Sequence, residues 1–170
     1  MNIRPILLLC VGIAFFGQTS CVSYTYIVRH AEKGAGNDPD LIPEGADRAV
    51  ALAELLKANG ISEVYSTDFN RTRQTATPTA DTFGLAVNLY SSDTLQAFAA
   101  RLLPLGKNRL VVGHSNTILD IARALGAIPT LQVIPDDDFD NLLIVKRKRN
   151  YTSISVTLTE TTYGAASPVH

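Results

Sequence analysis

Three short segments concentrate the side chains best suited to gripping an anion: Arg29-His30, Asp68-Phe69-Asn70-Arg71-Thr72-Arg73 and Gly113-His114-Ser115-Asn116. Pooled, they offer two imidazoles and two or three guanidiniums, with few carboxylates. A pocket of that make-up wants an anion, and phosphate fits it best. The planar fork of arginine matches phosphate oxygens, and each charge-assisted hydrogen bond is worth ~1.5–3 kcal/mol. Of the three histidines in the chain, His170 at the C-terminus is the one outside these segments.

Segments about 40 residues apart can share a pocket only if the fold gathers them, and the hydropathy pattern says how. Tyr24–Val28 is a short β-branched and aromatic run, which predicts a strand. After a polar loop, Ala49, Leu52, Ala53 and Leu56 recur at helical spacing, with Glu54 and Lys57 on the opposite face. Val64–Ser66 predicts a second strand, and Thr72–Phe83 a helix that carries Pro78 and stops at Gly84. A third strand over Leu85–Tyr90, a helix over Leu95–Leu103, a buried strand over Arg109–Gly113 and a helix over Thr117–Leu125 follow. Alternating strand and helix predicts a three-layer α/β/α fold around a mainly parallel sheet. Leu142–Lys148 and Thr152–Leu158 predict a C-terminal antiparallel hairpin at the sheet edge. Each of the three reactive segments then falls just beyond a strand C-terminus, the edge at which open parallel sheets hold ligands.

The same residues carry a family likeness. Arg29-His30-Ala31-Glu32-Lys33 resembles the RHGE/RHAE signature of the histidine phosphatase superfamily, the phosphoglycerate-mutase-like fold. Ser66 through Ala76 resembles its S-x-x-x-R-A-x-Q-T-A segment, Val111-Val112-Gly113-His114-Ser115 its second-histidine segment, and Leu41–Gly45 the LTxxG stretch between them. The likeness runs from Tyr24 to Leu125, in order and at matching spacing. It implies that His30 is a nucleophile that attacks phosphorus and forms a phosphohistidine. It implies that Arg29 and Arg71 hold the phosphoryl oxygens, that His114 also contacts them, and that water then cleaves the intermediate. No metal or other cofactor is implied, because the arginines supply the positive field. One branch of the family places an acid immediately after the second histidine; Ser115 stands there instead. The other branch uses an acid further along, where Asp93 is the carboxylate between Thr82 and Arg109; Asp93 is equally suited to capping the helix that starts near Leu95. Glu32 is a second candidate donor.

Rival functions compete for the same residues. A phosphate-binding protein without turnover would need the same pocket. A phosphoglycerate-type mutase shares the motifs, but this chain is short for one. Gly113-His114-Ser115-Asn116-Thr117 resembles the serine-hydrolase elbow G-x-S-x-G with its last glycine replaced.

Composition narrows the field further. With 170 residues, 18% of them charged, 46% hydrophobic and a formal net charge of −1, the chain is neither disordered nor basic enough for a nucleic-acid binder. Residues 1–20 carry one charge, Arg4, ahead of a short apolar run from Ile6 to Gly17, which reads as a secretory signal. Thr19-Ser20-Cys21 resembles the end of a bacterial lipobox, so a lipid anchor at Cys21 and an exported, periplasmic or envelope location are expected. Residues 21–170 then form one domain acting on a small phosphorylated substrate, with no nucleic-acid partner. Lys146–Arg149 reads as a solvated hairpin, Asp136–Asp140 as a loop that could serve as a rim filtering substrates, Lys33 as a loop lysine near the pocket, and Arg73 as pointing outward.

Overall fold

The structure, a computed structural model, describes residues 21–149 and 151–167. The expected leader at 1–20 and His170 lie outside the described residues. Strands β1 (Val22–Arg29), β2 (Ile61–Ser66), β3 (Val87–Leu89), β4 (Asn108–Gly113), β5 (Asn141–Arg149) and β6 (Ile154–Thr162) form one sheet in the order β3-β2-β4-β1-β5-β6. The first four are mutually parallel; β5 runs antiparallel to β1, and β6 antiparallel to β5. The architecture is the α/β sandwich expected, with its antiparallel hairpin at one edge.

Alternation along the strands builds a core on each face. Tyr26, Val28, Val64, Leu110, Val112 and Leu142 face one side and pack with Leu52, Leu56, Ala76 and Ala80. Those four belong to α1 (Pro43–Leu56) and α2 (Asn70–Phe83). Ile27, Tyr65, Val111, Leu143 and Val145 face the other side, under Phe98, Leu102, Ile118 and Ile121. These come from α3 (Leu95–Leu102) and α4 (Ile118–Ala124). Helix α1 begins earlier than its apolar spacing predicts. Pro43 sits in its first turn, where a missing amide costs nothing, and Glu44 complements the positive helix end.

The third strand is shorter than predicted. Gly84 caps α2 in the left-handed conformation (φ 63°), and the Leu85 amide turns back to the Ala80 carbonyl at 2.9 Å. Leu85 therefore closes the helix instead of opening a strand. The basic run 146–149 is also corrected in part. Arg147 is buried at 8% exposure and donates to the Leu103 carbonyl at the end of α3. Arg109, 1% exposed, donates to the carbonyls of Leu102 and Pro104 and pairs with Glu63 at 2.7 Å. These two guanidiniums satisfy the orphan carbonyls of that helix end.

Candidate active site

Strand order explains how the three segments meet. Strand β4 lies between β2 and β1, so Thr67, His114 and His30 leave three neighbouring strand ends. Arg29 pairs in register with Gly113, Ser66 with Val112, and the His30 amide donates to the Gly113 carbonyl at 2.9 Å. The sequence skips from β1 to β2 and inserts β4 between them later. This is the kind of switch point where open sheets form a crevice at their C-terminal edge. A cleft of about 370 Å³ opens there, with Arg29, His30, Lys33, Arg71, His114 and Asp136 on its walls.

The two imidazoles face each other edge to face, with centroids 5.6 Å apart. His30 is 3% exposed, and its Nδ1 lies 2.8 Å from the Ala31 carbonyl. A carbonyl only accepts, so Nδ1 carries the proton and Nε2 holds the lone pair. Burial, reinforced by Arg29, His114 and Arg71, pushes the His30 pKa down to about 3, against the smaller upward pull of the Ala31 carbonyl. His114 is pushed down to about 4 by burial and by Arg71 and Arg29. Both rings are neutral at pH 7, the state a nitrogen nucleophile requires.

The guanidiniums are aimed by backbone and by aromatic faces. Arg29 Nη1 donates to the carbonyls of Pro135 (2.8 Å) and Asp138 (3.1 Å), and its plane lies 4.4 Å over Phe139. Burial lowers its pKa, partly offset by Asp136, Asp138 and Asp137. Its starting value is high enough that it stays cationic. Arg71 stacks 4.4 Å over Phe69 and reaches Asp38 at 3.6 Å. The acidic loop therefore does more than rim the cleft, because its main chain orients Arg29.

Hydroxyls join the pieces. Thr75 Oγ1 donates to the Arg71 carbonyl at 2.7 Å and accepts from the Ala31 amide at 2.9 Å, tying the His30 loop to α2. Thr117 Oγ1 accepts from the His114 amide at 3.0 Å and donates to the His114 carbonyl at 3.2 Å. Gln74 ties the 31–41 loop to α2, accepting from the Leu41 amide and donating to Asp40, each at 2.8 Å.

Of the predicted site residues, Arg29, His30, Arg71 and His114 share the cleft wall. Asp93 does not. It is exposed on the 3-10 turn Ser92–Thr94, and Ser92 is the member of that turn on the wall. Nor does Asp93 cap a helix with its side chain; its amide donates to Ser91 Oγ at 3.2 Å. Glu32 is corrected as a candidate donor. Arg48 grips its carboxylate at 2.6–3.0 Å and, against the upward push of burial, holds its pKa below the usual range. Lys33 is exposed and on the wall, and Arg73 pairs with Asp68 outside it. Sequence reasoning gave Thr67, Thr75, Thr117, Phe69 and Phe139 no role in orienting the pocket. They act by orienting other groups, and the signal for Thr67, Phe69 and Thr75 was their place within the Ser66–Ala76 motif.

Residues 25–99 match the family model of the histidine phosphatase superfamily (branch 1). Among solved structures, the chain is similar to a protein histidine phosphatase SixA complexed with tungstate, with 19% identity, TM-score 0.57, and 82% of this chain and 96% of the other covered. It is also similar to a mycobacterial glucosyl-3-phosphoglycerate phosphatase, with 14% identity, TM-score 0.56 and coverage of 85% and 100%. A candidate phosphohistidine phosphatase SixA from Nakamurella multipartitia gives 20% identity, TM-score 0.57 and coverage of 85% and 98%. No curated protein sequence matches significantly.

Proposed function

Because the family of this chain is the histidine phosphatase superfamily, we propose that the cleft hydrolyses a small phosphomonoester through a phosphohistidine on His30. The observation that carries this reading is the state of that ring. It is buried, neutral, bound through Nδ1 to the Ala31 carbonyl, and set 5.6 Å from a second imidazole on a wall shared with Arg29 and Arg71. In this reading Nε2 attacks phosphorus while the two guanidiniums and Lys33 hold the oxygens on which charge builds. Water then attacks the phosphohistidine. The arginine field makes metal assistance unnecessary to the scheme.

The test is phosphate release from an aryl phosphate by the purified chain in EDTA, with and without vanadate, together with an alkaline quench that preserves any phosphohistidine. The expected result is turnover that vanadate inhibits and labelled protein after the quench, with His30→Ala abolishing both. Equal rates for wild type and His30→Ala would remove the mechanism, and phosphate binding without turnover would favour a binding protein.

Export and anchoring at Cys21 belong to the same proposal. Cys21 is exposed and immediately precedes β1, whose far end carries Arg29. At ~3.3 Å per strand residue, an anchor there would stand roughly 25 Å from the cleft, at the opposite edge of the sheet. The active site would then face away from the lipid surface, towards soluble substrates.

A further inference from the structure

Among the described residues on the cleft wall, Asp136 is the one carboxylate available to protonate the departing oxygen, and it is poorly placed to do so. Glu32 is held by Arg48, Asp93 lies off the cleft wall, and Asp136, which is on it, is 99% exposed beside Arg29. The hydrogen bonds behind His114 supply an alternative once their directions are worked out. Thr72 Oγ1 lies 3.0 Å from the Thr67 carbonyl and 2.9 Å from the Phe69 carbonyl. Carbonyls only accept, so the single Thr72 hydroxyl proton is spent on them. Thr67 Oγ1, 3.0 Å from Thr72 Oγ1, must therefore donate to it. With its own proton so placed, Thr67 Oγ1 can only accept from His114 Nε2, 2.9 Å away. His114 thus carries its fixed proton on Nε2 and has Nδ1 left as a lone pair. Thr67 is 2% exposed and Thr72 is fully buried, so water does not compete for these bonds.

We propose that His114 is the proton shuttle of the reaction, with Thr67 as the residue that pins its ring so that Nδ1 alone gains and loses a proton. The proposal rests on the reading of His30 as nucleophile. Groups sharing the cleft wall with His114 include Arg29 at the end of β1 and His30 just after it, Lys33 from the following loop, Phe69 just before α2 and Arg71 in its first turn, and Asp136 from the loop before β5. Burial, with the guanidiniums of Arg71 and Arg29, disfavours a proton on Nδ1. A phosphate ester dianion reverses the local field, and Nδ1 takes up a proton from solvent as the ester binds. His30 Nε2 then forms the N–P bond while the ester P–O bond breaks, and the leaving oxygen takes the proton from His114 Nδ1. Water next attacks phosphorus and passes a proton to Nδ1, while the N–P electrons return to His30. The net change is ester dianion plus water to alcohol plus hydrogen phosphate, with His114 protonated again.

Two measurements on the full chain test this. Nitrogen-15 NMR of the imidazoles reads the tautomer directly, without any turnover. Wild-type His114 is expected as a single Nε2–H tautomer, becoming mixed in Thr67→Val and restored in Thr67→Ser. Steady-state kinetics on an alkyl phosphate across pH should show kcat lowered roughly 10- to 100-fold in Thr67→Val, with KM within about 2-fold and near-wild-type behaviour in Thr67→Ser. An Nδ1–H tautomer in the wild type overturns the proposal. So does unchanged kcat in Thr67→Val while His30→Ala is inactive, a result that leaves the nucleophile standing. Activity retained in His30→Ala would instead remove the underlying reading.

Discussion

At the scale of single residues, Arg29 and Arg71 divide a shared task unequally. Arg29 is locked by two carbonyls and an aromatic face at 5% exposure, whereas Arg71 is 13% exposed and held by one carboxylate at 3.6 Å and by Phe69. In the proposed reaction Arg71 is thus the less constrained of the two oxygen clamps and Arg29 the more constrained. Removing either loses charge-assisted bonds of ~1.5–3 kcal/mol. Arg71→Ala is accordingly expected to lower kcat/KM roughly 10- to 150-fold with little change in Tm. Arg29→Lys should lower activity and also stability, because a point cation cannot span two carbonyls and stack on Phe139. Leaving one buried carbonyl unpaired costs about 1–3 kcal/mol. Parallel kinetics and thermal melts separate the two effects; an Arg29→Lys protein that melts like the wild type would contradict the locked geometry. His30 and His114 were legible in the sequence because histidine is scarce in this chain, and Arg29 and Arg71 because their placement just after strands is informative. Thr67, Thr117 and Phe139 were not, because a hydroxyl or phenyl ring acts here only through the group beside it.

At the scale of elements, two glycines set how closely neighbouring groups approach the strand ends that lead to His30 and His114. A Cβ on Gly45 would lie 2.1 Å from the Glu32 carbonyl oxygen, so the first turn of α1 rests directly on the main chain two residues past His30. A Cβ on Gly113 would meet Tyr90 Oη at 2.8 Å and Thr117 Oγ1 at 2.9 Å, the latter being the atom that holds His114. Gly45→Ala must therefore push α1 off the loop that carries His30. Overpacking of this kind costs about 1–3 kcal/mol. The variant is expected to melt earlier and to lose turnover beyond what its unfolded fraction explains, as measured by melting curves and by kcat at a temperature where it is fully folded. An unchanged melting curve would contradict this close approach of α1 to the Glu32 carbonyl. The strand–helix alternation and the edge hairpin were readable from periodicity, and element limits differed mainly where a cap consumed a residue, as at Leu85. Strand order was not readable, since nothing local in Arg109–Gly113 says that it inserts between β1 and β2. That insertion is what places His114 beside His30.

At the scale of the whole molecule, the site makes folding sensitive to mild acid. His30 and His114 are driven down to about 3 and about 4, chiefly by burial, while an unfolded histidine titrates near 6.5. Below that value the unfolded chain binds protons that the folded chain refuses, so stability falls as pH falls. The loss begins near pH 6.5 and continues until the folded rings themselves protonate, around pH 4 and then 3. Glu32 and Glu63, both held below the usual carboxylate range by arginine and lysine partners despite their burial, add to the same slope only below about pH 4.5. The interval between pH 6.5 and about 4.5 therefore belongs to the two imidazoles. Thermal melts in a series of buffers should show a flat Tm above pH 7 and a decline through that interval. The double variant His30→Gln, His114→Gln should flatten the decline. Vanadate or phosphate should shift it to lower pH, since a bound anion makes protonated rings tolerable and stabilises the folded state by its own binding. A wild-type Tm that stays level down to pH 4.5 would show that the rings are not held neutral by the fold, and the same preorganisation would then be unavailable for nucleophilic attack.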